Sequence, residues 1–115
     1  MRALFVLPVF VVLICIFSTQ DAHATTFTAT TTGEWSNPTT WGGSSPPIVI
    51  NPGDTVTIPS GITVTISFGG IISNHGAIVN SGTLNNTVGS ISNFAMIINN
   101  AGGTINNYKP VKIWL

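Results

Sequence analysis

The sequence predicts an all-β fold, a short parallel β-solenoid preceded by a signal-peptide helix. Three observations predict it: a recurrence of about twenty residues, a finer beat of six inside it, and the lack of any helical stripe. Ile72-Ser73-Asn74 returns as Ile91-Ser92-Asn93, and Ile78-Val79-Asn80 as Ile97-Ile98-Asn99, each nineteen residues on. Gly82-Thr83-Leu84-Asn85-Asn86 returns twenty-one residues on as Gly103-Thr104-Ile105-Asn106-Asn107. Blocks that recur in one order at a fixed period are the sequence signature of a repeat architecture.

Within one copy, Ile72, Ile78 and Leu84 stand six apart, as do Asn74, Asn80 and Asn86, while Gly76 and Gly82 occupy a third phase. Each block then gives a short strand with an inward aliphatic residue, followed by a corner of Asn and Gly, which tolerate left-handed backbone. Three such faces make one coil. Stacked at about 4.8 Å, equivalent Ile side chains form an inner column and equivalent Asn side chains form amide ladders. Such a core is one column wide and needs few apolar residues. Gly76 and Gly82 come two before Ile78 and Leu84, whereas left-handed hexapeptide solenoids place a small residue directly after the aliphatic one. The right-handed form is therefore expected. A helix is not, because Gly, Asn and β-branched residues crowd the stretch without a 3.6-residue stripe.

The remaining elements follow from the N-terminus. Residues 1–24 open on Met1-Arg2, run apolar from Leu4 to Phe17 with only Pro8 as a break, and end on Ala22-His23-Ala24. That is a signal peptide with an A-x-A cleavage site, which leaves Thr25 first and makes the chain secreted or cell-surface. A spanning helix needs about 20 apolar residues, so membrane contact is expected only through this segment if it stays uncleaved. Cys15 follows Ile14 rather than the small residue of a lipid-anchor signal, and cleavage removes this single cysteine. The mature chain would have no disulfide, and its stability has to come from a hydrogen-bonded stack.

Residues 25–54 read as an edge strand, Thr25 to Thr32, and then a Trp-, Pro- and Gly-rich cap loop over the open end of the solenoid. Residues 55–108 are the coils. They begin with Thr55-Val56-Thr57-Ile58 and Ile62-Thr63-Val64-Thr65-Ile66, joined by Pro59-Ser60-Gly61 in a strand, tight turn, strand pattern. The alternation sends one face to the core and Thr outward. Residues 109–115, Lys-Pro-Val-Lys-Ile-Trp-Leu, break the pattern. They read either as a C-terminal cap, in which Pro110 ends the stack and Trp114 covers the column, or as the truncated, out-of-frame end of a longer surface protein.

The run from Gly33 to Gly43, W-x-x-P-x-x-W-G-G from Trp35, followed by Pro46-Pro47 and by G-D-x-V-x-I-P-x-G from Gly53 to Gly61, resembles the opening of G8-type domains. Such domains stand near the N-terminus of secreted and cell-surface β-helix proteins. The resemblance covers about residues 33 to 66, and the Asn/Gly repeats beyond are similar to the shafts of adhesin-like surface proteins. It implies a β-helix fold and a cell-surface setting, and it implies no activity. No Gly precedes Pro46-Pro47, a departure from that pattern.

Composition narrows the function. From Thr25 onward, 47 of 91 residues are Gly, Ser, Thr or Asn, and the charged residues are Glu34, Asp54, Lys109 and Lys112 alone. Without a Lys/Arg surface to displace counterions, nucleic-acid binding is excluded. Acid-base chemistry has few groups to use. His75, the one mature His, has no nearby carboxylate or Cys in the sequence to build a metal site or triad. Asp54 lies in a turn, where an Asp bonds its own backbone, and calcium would need several further oxygen ligands. Asn85-Asn86-Thr87 is the single glycosylation sequon, since Pro38 disqualifies Asn37. Ice-lattice matching by Thr55/Thr57 and Thr63/Thr65 would require the pair to recur on many coils, and it gives way to Ser and Asn.

Trp35 and Trp41 are the candidate ligand-binding residues, a stacking platform for pyranose rings, with burial as a lid over the apolar column as the competing role. The expected function is a non-enzymatic structural or adhesive β-solenoid module of the cell surface, with no cofactor. A carbohydrate-binding module using the Trp-rich loop is the alternative. The expected partners are cell-surface glycans or, end to end, further copies of the chain, since low net charge and stacked Asn leave little but the caps to block edge pairing.

Overall fold

Residues that alternate inward and outward over only two to four positions make strands too short to pair locally, and the chain satisfies them by winding. A computed structural model describes residues 23–108; the signal segment except for its last two residues, and the C-terminal segment 109–115, lie outside the described residues. The strands are β1 (Thr26–Thr28), β2 (Gly33–Glu34), β3 (Val49–Ile50), β4 (Thr55–Ile58), β5 (Thr63–Ile66), β6 (Ile71–Asn74), β7 (Ala77–Asn80), β8 (Thr83–Asn86), β9 (Ser90–Asn93), β10 (Met96–Asn99) and β11 (Thr104–Asn107). They form three sheets ordered β1-β4-β7-β10, β2-β5-β8-β11 and β3-β6-β9. Every pairing is parallel. The chain is a three-faced parallel β-solenoid.

The repeats sit where the period puts them. Ile72 is opposite Ile91, Ile78 is opposite Ile97 and Asn80 opposite Asn99, and Leu84 is opposite Ile105. Burial follows the pleat: from β4 to β8 the second and fourth residue of each strand is buried. The column of Val56, Ile58, Val64, Ile66, Ile72, Ile78 and Leu84 is sealed from solvent.

Three features differ from the sequence expectation. β4 and β5 do not pair with one another; Pro59 to Ile62 is a solenoid corner, and the two strands lie in different sheets. Hairpins and solenoid corners share the same local signals, so the sequence pattern alone does not separate them. The segment read as a cap loop also contributes β2 and β3, and with β1 it closes the first coil. Two-residue strands are too short to show a period. Finally, Gly76, Gly82 and Gly89 are not left-handed: the positive φ values belong to Gly42, Gly43, Gly53, Gly61 and Gly102. Their role is steric. A Cβ on Gly76 would strike the carbonyl oxygens of Asp54 and Asn51, and one on Gly82 those of Ile62 and Pro59, so these corners pass directly over the backbone of the coil beneath.

The amide ladders run at all three corners. The Nδ2 of Asn74, Asn80 and Asn86 donates to the Oδ1 of Asn93, Asn99 and Asn107 at 2.7, 2.9 and 2.9 Å. The same nitrogens of Asn74 and Asn80 also donate to the carbonyls of Met96 and Thr104, at 2.7 and 2.9 Å. All three ladders point toward the C-terminal coil. One coil earlier, Ile58 and Ile66 hold the places of Asn80 and Asn86. Those side chains have no N–H to give, and the Oδ1 atoms of Asn80 and Asn86 are buried without a partner.

Glycine 82 gives a direct test of the corner geometry. Gly82→Ala is expected to lower stability by about 1–3 kcal/mol, because rigid backbone has to move to admit the methyl group. Gly69→Ala, where the nearest atom is Val88 Cγ1 at 4.0 Å, should be near neutral. Urea unfolding of the two variants checks the difference.

Candidate functional site

The two tryptophans are positioned by a short 3-10 helix at Pro38–Trp41. Asn37 caps it, its Oδ1 accepting from the Thr39 N–H at 3.1 Å, and Pro38 supplies a preset φ at the first position. Gly42, at φ +72°, ends it, as only a residue that tolerates left-handed backbone does without strain. The Thr40 carbonyl accepts from the N–H groups of Thr30 and Thr31 at 2.8 and 3.3 Å, which ties the helix to the chain leaving β1. Gly33 is required here, since a Cβ would overlap Thr40 Oγ1.

The Trp35 N–H donates to the Thr65 carbonyl at 2.8 Å, which continues the β2–β5 ladder and carries the indole into line with Ile66. Trp41 meets it edge to face, with ring centroids 5.4 Å apart at 71°, and its Nε1 donates to the Trp35 carbonyl at 2.8 Å. Trp35 is 1% exposed and Trp41 6%. An indole in that state offers no face to a sugar ring, and both belong to the core cluster with Ala29, Ile50 and Val56. Trp35 Nε1 is buried with no partner.

The other singled-out residues stay apart from this corner. Asp54 is 8% exposed, and its Oδ1 accepts from the Thr25 backbone N–H at 2.9 Å. Its partner lies 29 residues away, which a search for local Asp turns does not find. His75 is exposed and stacks on Phe94 at 4.8 Å and 6°. Beside it lies a shallow open groove of about 450 Å³, lined by Pro52, Asp54, His75, Gly76 and Met96 among others. Among the described residues no three His, Cys, Asp or Glu side chains come together in a way that holds a metal ion. Asn85, the sequon residue, is half-buried and accepts from Asn106 Nδ2 at 2.8 Å, an additional ladder on the outer face. Thr63, Thr83 and Thr104 form one outward column, while the neighbouring column runs Thr65, Asn85, Asn106, so one Thr column persists and the Thr pair does not.

Sequence reasoning missed the last coil's edge. Phe94 is 67% exposed, and Met96, Ile98, Ile105 and Tyr108 join it among the exposed large apolar residues. For Ile105 the signal was present in the repeat itself, because its partner in the coil beneath is the buried Leu84, whereas Met96 and Ile98 stand opposite the outward positions Ala77 and Val79 and are exposed by their place on the pleat.

Replacing Trp35 by Ala is expected to cost about 3–5 kcal/mol, an amount comparable to the whole stability of a small domain. Trp41→Phe, which removes the bond to the Trp35 carbonyl and the volume of one ring, should cost less, about 1–3 kcal/mol. Circular dichroism melts read both effects, and a glycan array of the folded Trp41→Phe variant should match that of the parent.

Set against protein-family models, curated proteins and solved structures, the chain matches none of them.

Proposed function

We propose that the chain is an exported, non-enzymatic β-solenoid module with a structural or adhesive role at the cell surface or outside the cell. The observation that carries this reading is the directional coil-to-coil interface. Backbone ladders on three faces and amide ladders at three corners end at β9, β10 and β11 with an apolar edge uncovered among the described residues. An interface already repeated within the chain is a ready template for continuation. The resemblance of residues 33–66 to G8-type openings and the signal-peptide pattern of residues 1–24 point to the same setting. The nearly uncharged outer faces, rich in Thr, Ser and Asn, suit a filament or surface shaft better than a reaction centre.

The proposal makes end-to-end association at the C-terminal edge the property to measure. Sedimentation of the chain starting at Thr25 should show association that rises with concentration. Ile98→Lys and Ile105→Lys, which place charges on that edge, should each weaken it by about tenfold or more while leaving the circular dichroism unchanged. A chain that stays monomeric at high micromolar concentration, and is indifferent to both substitutions, would remove the self-assembling form of the proposal.

A further inference from the structure

Thr25 is the first of the described residues that the fold ties down. Its backbone N–H donates to Asp54 Oδ1 at 2.9 Å, and its carbonyl accepts from the Thr55 N–H at 2.9 Å. His23 and Ala24 just before it are exposed. The sequence reaches the same residue by a separate route, since Ala22-His23-Ala24 places the scissile bond of the signal peptide between Ala24 and Thr25. The hydrogen-bonded atom at Thr25 is thus the atom that cleavage would turn into a chain terminus.

We infer that Asp54 is a built-in binding site for a terminal ammonium group, the α-amino group that processing creates at Thr25. The inference rests on the export reading above. Hydrolysis of the Ala24–Thr25 peptide by a signal peptidase consumes one water, leaves a carboxylate on Ala24, and frees an amine on Thr25. An α-amino group titrates near pH 8, so at neutral pH it takes up a proton and carries a positive charge. The donor atom stays where it is, and the bond changes from amide-to-carboxylate to ammonium-to-carboxylate.

The surroundings make that change matter. Asp54 is 8% exposed, and a carboxylate so placed is costly without an opposite charge. No Lys or Arg stands among residues 23–108, and the other carboxylate in that range, Glu34, accepts from Ser67 Oγ. The terminal ammonium group supplies the missing charge at hydrogen-bond distance. The amide bond to the carboxylate is already charge-assisted; the ammonium group adds to it the attraction between opposite charges at hydrogen-bond distance. It also has structural leverage: β1 is a three-residue edge strand held to the stack by β4 alone. A terminal ion pair to the turn just before β4 fastens it at its first residue. Removing the signal peptide therefore completes the first coil as well as releasing the chain.

The test is a cycle built on the chain starting at Thr25, prepared with a free and with an acetylated α-amino group, each with Asp54 intact and as Asp54→Asn. The same chain starting at His23, in which Thr25 N remains an amide, is the control. Urea unfolding should show the free-amine form about threefold to tenfold more stable in its folding equilibrium than the acetylated form. That gap should vanish in Asp54→Asn, and acetylation should have no effect on the chain starting at His23. If Asp54→Asn does not fold, Asp54→Ser serves the same arm, and the gap between free and acetylated forms should also shrink in 1 M salt. Equal stability of the two forms with Asp54 present, or a gap that survives loss of the carboxylate, would overturn the assignment. Terminal mass analysis of exported chain supplies the other half: a first residue other than Thr25 overturns the proposal at the processing step without touching the cycle, so the two failures are distinguishable.

Discussion

Pairing between coils is the interaction on which the rest of this structure depends. Among the described residues no strand bonds to the strand that follows it in the chain; β4 leads into β5 but pairs with β1 and β7. Register partners are 19 residues apart at Ile72 and Ile91 and 29 apart at Phe27 and Val56. A single coil therefore has no strand-to-strand ladder of its own, only short bonds at its turns such as Asp54 N–H to the Asn51 carbonyl at 3.0 Å, and exists as a layer on another. The residue choices follow from keeping the layers at strand spacing. Glycine holds positions 76, 82 and 89 because the corner crosses carbonyl oxygens of the layer beneath, where any Cβ would lift the coil away. Asparagine at the corners satisfies the carbonyls that the turn exposes, and its amide bonds reach the next layer as well.

The corner columns change chemistry partway up the stack. One runs Trp35, Ile66, Asn86, Asn107, and another Ile50, Asn74, Asn93. The early coils are joined at their corners by apolar packing and the later ones by directional hydrogen bonds. The junction is imperfect: an amide laid on an isoleucine leaves its oxygen without a donor, at about 1–3 kcal/mol for each such atom. Asn74 escapes because its Oδ1 accepts from the Gly76 N–H at 3.1 Å. The mismatch is confined to two of the three corners, at Asn80 and Asn86, and the one later layer among the described residues meets each of the three asparagines with a matched pair.

The sequence displayed the repeating part of this design and concealed the rest, for physical reasons. Columns of Ile and Asn repeat at fixed offsets, so the period alone gave the faces, the inner column and the ladders from Ile72 to Asn107. The first coil has no such period. Its strands are two or three residues long and its connections carry the Trp corner, so Gly33 to Pro52 looked like a loop and the coil it completes was hidden. The Trp pair was legible as a candidate but not its burial, which depends on Thr65 lying under Trp35. Likewise Asp54 stood out as a turn acid, while its acceptor role toward Thr25 depends on a pairing between β1 and β4 that no local pattern announces.

The two ends of the solenoid pose opposite problems, and the chain treats them differently. At the first coil an exposed column would face water, and the two indoles close it in an edge-to-face pair whose single satisfied N–H bonds within the same corner. At the last described coil the ladders end in amide groups whose oxygens are already committed downward, with Phe94, Met96 and Ile105 exposed beside them. Two such edges brought face to face would set N–H against N–H at the corners, whereas a parallel coil presenting carbonyl or amide oxygens would complete each ladder. The polarity that the three ladders share therefore makes the stack a directional object whose open edge, among the described residues, is chemically unlike its sealed one.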